Sequence, residues 1–289
     1  MSPPTPRRRA GFTLVELLMV IVILAILSSL LIAAVGKAMV AAKDAQITAE
    51  MAQLDSALKA HRAKFDAFPP DMNNAQRVNL HIRRMFTRYT GTGVTAPPPA
   101  LTNGIMDEAE ALVYWLGGLS DLNAIGSASS KTLGFNLDPT DPFNRNVTAQ
   151  RSAPFFQFNQ GRLFDQDGDN YYEYYPPHKK SVNDGVPPYV YFDNYKFFSA
   201  VVPMPFHAVA NAGVATPYRR RSSADAAVSA TTPWVNPDSF QIICAGQDNQ
   251  YGQNNNQKSF PAGDFWEPNG DENDNLSNFT TGRFEDKKL

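Results

Sequence analysis

Two acidic segments hold the side chains best suited to chemistry in this sequence. In FDQDGDNYYEYY, Asp165, Asp167 and Asp169 alternate around Gly168, and Glu173 stands four residues beyond Asp169. Hard oxygen ligands on a tight glycine turn suit Ca²⁺, which takes about six to eight oxygens at about 2.3 to 2.6 Å. The spacing is not that of an EF-hand, because the glycine comes early and Pro176 stands where the bidentate glutamate belongs. An Asp/Gly turn between strands accounts for the same residues without a metal. The second acidic segment runs from IICAGQDNQYGQNNN to NGDENDNLSNF. A loop of about 35 residues with no disulfide calls for a clamp, and a bound metal would stabilise only the folded state. Without one, the segment reads as a flexible acidic tail.

Other reactive side chains are dispersed. His61, His81, His178 and His207 stand singly, so no HExxH or histidine cluster offers a transition-metal site. There is no GxSxG elbow and no P-loop, and GTGVTA at 91–96 is followed by prolines where a dinucleotide-binding helix would begin. Cys244 is the only cysteine. Set in FQIICAG, it reads as a small buried hydrophobe, and no intrachain disulfide can form. A net charge of −2 and the lack of a basic stripe with interleaved aromatics point away from nucleic acid. RRRSS at 219–223 reads as a solvated loop tip. The chain reads as a non-enzyme.

One more ionisable residue is out of place. Residues 17–35 are interrupted only by Ser28 and Ser29, and about 19 residues at roughly 1.5 Å each cross the ~30 Å of a bilayer core. Glu16 stands at the head of this run. Arg7, Arg8 and Arg9 precede it, which puts the N-terminus on the cytoplasmic side and the remainder across the membrane. A signal peptide cleaved after the small residues near Gly36 and a plain signal anchor both compete for the segment. The run is long for a signal peptide, whose apolar region spans about 7 to 15 residues.

The order RRRAGFTLVELL resembles the prepilin leader of type IV pilins and type II secretion pseudopilins, with a basic leader, a glycine, a phenylalanine and a glutamate fifth from that phenylalanine. The resemblance implies that a prepilin peptidase cuts between Gly11 and Phe12, that the Phe12 amine is methylated, and that the apolar segment is retained. It also implies that Glu16 of one subunit meets the Phe12 amine of another during assembly. An ionised group within a membrane costs about 2.5 to 3.5 kcal/mol on insertion scales, so such a partner has a physical reason. The second acidic segment resembles the C-terminal calcium loop of the major type II secretion pseudopilin. On that match Asp248 and Asp274 are metal ligands, with Asp271 and Asn275 as further candidates, although residues 253–268 make this loop the longer one.

The elements that must carry these sites follow from periodicity. No proline occurs between Phe12 and Phe68, and Ile47, Met51, Leu54, Leu58 and Phe65, with His61 completing the series, fall on one face of a helix that Pro69 and Pro70 stop. A helix over 12–66 is predicted, its first half in the membrane and its second half the spine of a head. His61 reads as a spacer on the stripe. Residues 106–119 predict a second helix, and 155–164, 189–198 and 239–244 predict strands. Residues 71–103 and 201–237 show little regular pattern, and 22 prolines and 18 glycines favour a loop-rich head.

The expected layout is a leader at 1–11, a membrane half-helix at 12–35, a spine at 36–68 and a head at 69–289. After the leader and membrane stretch about 220 residues remain, enough for one well-buried domain. The expected class is α+β, a long N-terminal helix on an antiparallel sheet, as in a pilin. The resemblance implies a structural subunit of a periplasmic pseudopilus driving protein export, anchored in the inner membrane. Its implied partners are other pseudopilins, the prepilin peptidase and the inner-membrane assembly platform. A surface type IV pilin for adhesion, motility or DNA uptake is the neighbouring expectation. A membrane-anchored ligand-binding or hydrolase domain is the rival from another class.

Overall fold

The computed structural model describes residues 11–72, 74–89, 106–121, 123–124, 130–146, 148–181, 183–193, 207–209, 212–221, 232–252, 258–261 and 273–287. Contacts divide the chain into two compact units, Met1–Ala42 and Lys43–Leu289. Helix α1, Leu14–Phe65, contributes to both. In the first unit its most apolar 18-residue window has a mean hydropathy of 3.1, and none of that window is buried. Phe12 is 79 % exposed, and every large apolar residue from Leu14 to Leu31 is open to the surroundings. Length and composition suffice to cross a membrane.

In the second unit the predicted stripe is the buried one, with Phe65 half-buried at its end. Ile47, Met51, Leu54, Leu58 and His61 are all inaccessible. α1 stops at Phe65 because Asp66 turns into the left-handed region (φ 56°) ahead of Pro69 and Pro70. That end is fixed from the head: the Trp115 indole N–H donates to the Pro70 carbonyl at 2.9 Å, and the Tyr191 hydroxyl donates to the Pro69 carbonyl at 2.7 Å.

Helix α2, Ala75–Met85, was not expected. Its start is capped by the Asn74 side chain, which accepts from the amides of Gln76 and Arg77, and it buries Val78, His81 and Ile82. Arg77, Arg83 and Arg84 make the stretch read as polar, but the three buried positions have helical spacing. Helix α3, Glu110–Gly117, is shorter than predicted, since Asp107 caps its approach through the amides of Ala109 and Glu110 and Gly118 ends it at φ 87°.

The strands are β1 (Leu163–Phe164), β2 (Glu173–Tyr174), β3 (Val190–Asp193), β4 (His207–Val209), β5 (Gly213–Ala215), β6 (Arg219–Arg220), β7 (Phe240–Cys244), β8 (Ser259–Phe260) and β9 (Leu276–Ser277). β3, β7 and β9 form an antiparallel sheet with β7 in the middle, pairing Tyr191 with Ile242 and Cys244 with Leu276. Tyr191, Ile242, Cys244 and Leu276 join the core that contains the α1 stripe. Val190, Phe192 and Ile243 belong to a second core with Tyr218, Tyr251 and Phe284. Both faces of the sheet are therefore covered, which is why β7 is apolar apart from Gln241, whose side chain is satisfied by the Tyr218 and Val235 backbone. β1–β2 and β4–β5 are antiparallel pairs, and β6–β8 is parallel. A long apolar helix with small antiparallel sheets is the expected α+β layout.

Three expectations need correction. The stretch 155–164 is a strand only at its end, because the Phe155 amide donates to the Leu116 carbonyl and its ring packs at 5.0 Å from His61. The aromatics there fill the core instead of pairing in a ladder. The stretch 201–237 contains regular structure after all, in β4, β5 and β6. Arg219 is no solvated tip: it is 9 % exposed, its guanidinium lies 3.8 Å over the Trp234 ring, and it donates to the Thr232 carbonyl at 2.6 Å. Residues 91–96, 194–198 and 222–223 lie outside the described residues.

Candidate functional site

The N-terminal site begins with a capping box. Thr13 precedes α1, and its hydroxyl accepts from the Glu16 amide at 3.2 Å. The Glu16 carboxylate reaches back and accepts from the Thr13 amide and hydroxyl, both at 2.9 Å. T-x-x-E is a helix-start signature in its own right. Gly11 and Phe12 precede it, with nothing within 4 Å of a side chain added at Gly11. In a single chain Glu16 is thus held by its own backbone, at the head of an apolar surface that the chain does not cover.

The carboxylates of the 165–173 segment divide their work. Asp165 accepts from the amides of Gly168 and Asn170 and so shapes the turn, where both residues have positive φ. Asp167 Oδ1 accepts from the Asp169 amide, and Asp169 Oδ1 from the Tyr171 amide. Asp167 and Asp169 meet Glu110 of α3, with one carboxylate oxygen from each within 4.8 Å of the others. Glu110 was not among the expected ligands. Its Oε2 accepts from the Asp107 amide at 3.0 Å, while its Oε1 is buried without a partner, as is Asp169 Oδ2.

Electrostatics reflect that crowding. Burial, followed by the charges of Asp107, Asp169 and Glu173, pushes Glu110 up to about 11. Burial raises Asp169 to about 6, raises Asp167, and lifts Glu173 well above the carboxylate range. Glu173 still accepts from the Gln166 amide at 3.1 Å. The sequence pointed to the turn acids. Their partner on α3 could be found only as an acidic residue on a wholly buried helix face.

In the C-terminal loop Asp274 packs against Gly246 and Asp248, while the neighbouring Asn275 side chain donates to the Tyr218 hydroxyl at 3.4 Å. Asp274 Oδ2 accepts from the amides of Gln247 at 2.6 Å and Asp248 at 3.0 Å. Asp274 Oδ1 and Asn275 Oδ1 are buried with no hydrogen-bond partner. Asp271 lies outside the described residues. The clamp expected of this loop is built in part from polar contacts to α1: Asp44 accepts from Gln247 at 3.0 Å and from Arg283 at 2.7 Å, and Asp55 accepts from Asn278 at 3.2 Å.

A third cluster went unpredicted. Glu50, on the same face of α1 as Ile47 and Leu54, accepts from Arg162 (2.8 Å to Oε2 and a second contact to Oε1), from the Tyr174 hydroxyl at 2.6 Å and from the Tyr189 hydroxyl at 2.8 Å. Its signal was a carboxylate inside an apolar stripe. His61 and His81 stack with ring centroids 5.1 Å apart, and burial lowers them to about 4 and about 3. Cys244 is buried as expected, its thiol pushed up to about 12 by desolvation.

Residues 6–32 match the family described as the prokaryotic N-terminal methylation motif. This is the prepilin-type signal of type IV pilins and pseudopilins. It supports a type IV pilin-like or pseudopilin subunit, and it implies prepilin-peptidase processing and filament assembly. No curated protein and no solved structure matches the chain.

Proposed function

We propose that this protein is a non-enzymatic structural subunit of a type IV filament, of the type II secretion pseudopilin kind, anchored in the inner membrane with its head in the periplasm. The observation that carries the proposal is Glu16, the sole ionisable side chain in residues 12–35 and one turn behind the Phe12 amine that processing would create. Within one chain it closes a capping box. In a bundle of such helices it gains a cationic neighbour, which offsets its cost in the membrane. The uncovered apolar residues of α1 supply the packing surface for other subunits, and the assembly platform supplies the driving force.

The secretion reading leans on the C-terminal loop. Asp248, Asp274 and Asn275, with Asp271, would hold calcium there, and the two partnerless oxygens on Asp274 and Asn275 suit a hard cation. A surface pilin carries the same N-terminus, and fibres beyond the outer surface of the host would favour it.

The test is the N-terminal mass of protein recovered from host membranes, together with the variant Glu16→Leu. The expected chain starts at N-methylated Phe12, and Glu16→Leu keeps cleavage after Gly11 but fails to polymerise. A start at Lys37 would mean an ordinary signal peptide. An intact N-terminus with undisturbed behaviour of Glu16→Leu would favour the anchored binding or hydrolase module.

A further inference from the structure

We propose that Glu110, Asp167 and Asp169 form a divalent-cation site, selective for Ca²⁺, that ties the start of α3 to the 165–170 turn. One oxygen from each lies within 4.8 Å of the other two. Oxygens on opposite sides of a Ca²⁺ ion stand about 5 Å apart, so the three fit one shell. Three acids near a turn would not by themselves make a site. Glu110 makes the difference: it is 1 % exposed, it pairs with no cation among the described residues, and its Oε1 has no donor. Asp169 Oδ2 shares that condition.

A buried acceptor without a donor is costly, and two adjoining carboxylates repel one another whenever both are ionised. A cation removes both penalties together. The neighbouring acids are committed elsewhere, Asp165 to the amides of Gly168 and Asn170 and Glu173 to that of Gln166. Asp167 stands exposed at the rim, where water completes the coordination. Mg²⁺ demands a near-ideal octahedron at about 2.0 to 2.1 Å and gives up its waters reluctantly. Three carboxylates of differing burial on separate segments suit the larger, irregular shell of Ca²⁺. The competing arrangement is a proton shared between Glu110 and Asp169, which would respond to no cation.

The site is distinct from the C-terminal loop and independent of the filament proposal, and one experiment separates them. The full chain in detergent is stripped with EDTA and titrated with Ca²⁺ or Mg²⁺, reading Tm and Ca²⁺ bound per chain by equilibrium dialysis. Wild type, Glu110→Gln, Asp169→Asn and Asp248→Asn are compared. With Ca²⁺ at a hundredfold excess over Kd, the wild-type Tm is expected to rise by about 5 °C or more. Glu110→Gln and Asp169→Asn each lose one bound ion and the corresponding rise, whereas Asp248→Asn keeps that ion and that rise and loses only an ion held at the C-terminal loop. In EDTA, Glu110→Gln melts close to the wild-type temperature, because its amide can donate to Asp169 as the protonated Glu110 carboxyl does. That result separates lost binding from lost folding. Unchanged stoichiometry in Glu110→Gln overturns the site, as does the absence of any wild-type response or the loss of every ion in Asp248→Asn. An equal response to Mg²⁺ overturns the selectivity.

Discussion

Removing the Glu50 carboxylate should loosen the head markedly, because it is a charge on the buried face of α1. Glu50→Ala leaves the Arg162 guanidinium, 13 % exposed, without its counter-ion, and leaves the hydroxyls of Tyr174 and Tyr189 without their acceptor. Breaking a buried pair by deleting one partner costs about 3 to 5 kcal/mol, because the remaining charge stays desolvated. In a domain of this size about 1 kcal/mol moves Tm by about 2 to 4 °C, so a drop of about 10 °C is expected. Thermal unfolding of the full chain in detergent, followed by tyrosine and tryptophan fluorescence, reads it. Gln53→Ala, an exposed change one turn along the helix, serves as the control. Adding Arg162→Met to Glu50→Ala should recover part of the loss, since an apolar pair carries no unpaired charge. A Glu50→Ala melting point within 2 °C of the Gln53→Ala control, at an uncertainty of about 1 °C, would refute the reasoning.

Acid should weaken the head through His61 and His81. Their folded values, about 4 and about 3, lie below the unfolded value of about 6.5, so the unfolded chain binds more protons and stability falls as pH drops below about 6.5. Between pH 7.5 and pH 5 each contributes up to about 2 kcal/mol of loss. Lys64 faces His61, and Arg77 and Arg84 face His81, adding to the cost of protonation. A difference curve between wild type and His81→Phe isolates this contribution, and parallel pH profiles would dismiss it. Gly246→Ala should destabilise by about 2 kcal/mol or more, because the residue has φ +69° and a Cβ would lie 2.3 Å from the Asp274 carbonyl oxygen. Gly168→Ala, at φ +82° but with open space around it, should cost about 1 kcal/mol; equal Tm shifts for the two would show that the contact with Asp274 carries nothing.

The sequence was most legible where one period ran long enough to exclude others. The stripe from Ile47 to His61 specified α1, and the adjacent prolines specified its end. β7 was legible from its apolar and β-branched text, broken only by Gln241. α2 was missed because its three arginines, Arg83 and Arg84 exposed and Arg77 paired with the buried Asp193, outweighed the spacing of Val78, His81 and Ile82. Residues 155–162 were misread because aromatic content signals burial as much as it signals strand, and here burial alone was meant. The turn acids could be read as a group because they are sequence neighbours. Glu110 and Glu50 could not, since their partners Asp169 and Arg162 are far along the chain and only tertiary packing joins them.

The anchors along α1 also say how the head would bear force. Asp44, Glu50 and Asp55 lie at about 9 Å and about 7.5 Å intervals along the helix axis, and each grips a different segment: the C-terminal stretch through Gln247 and Arg283, the β1–β2 region through Arg162, and the end of β9 through Asn278. A pull along that axis loads these attachments side by side, in shear, so that none can yield without its neighbours yielding too. A pull across the axis would load them one after another, like a zip. The helix is therefore fastened most strongly in the direction of its own length.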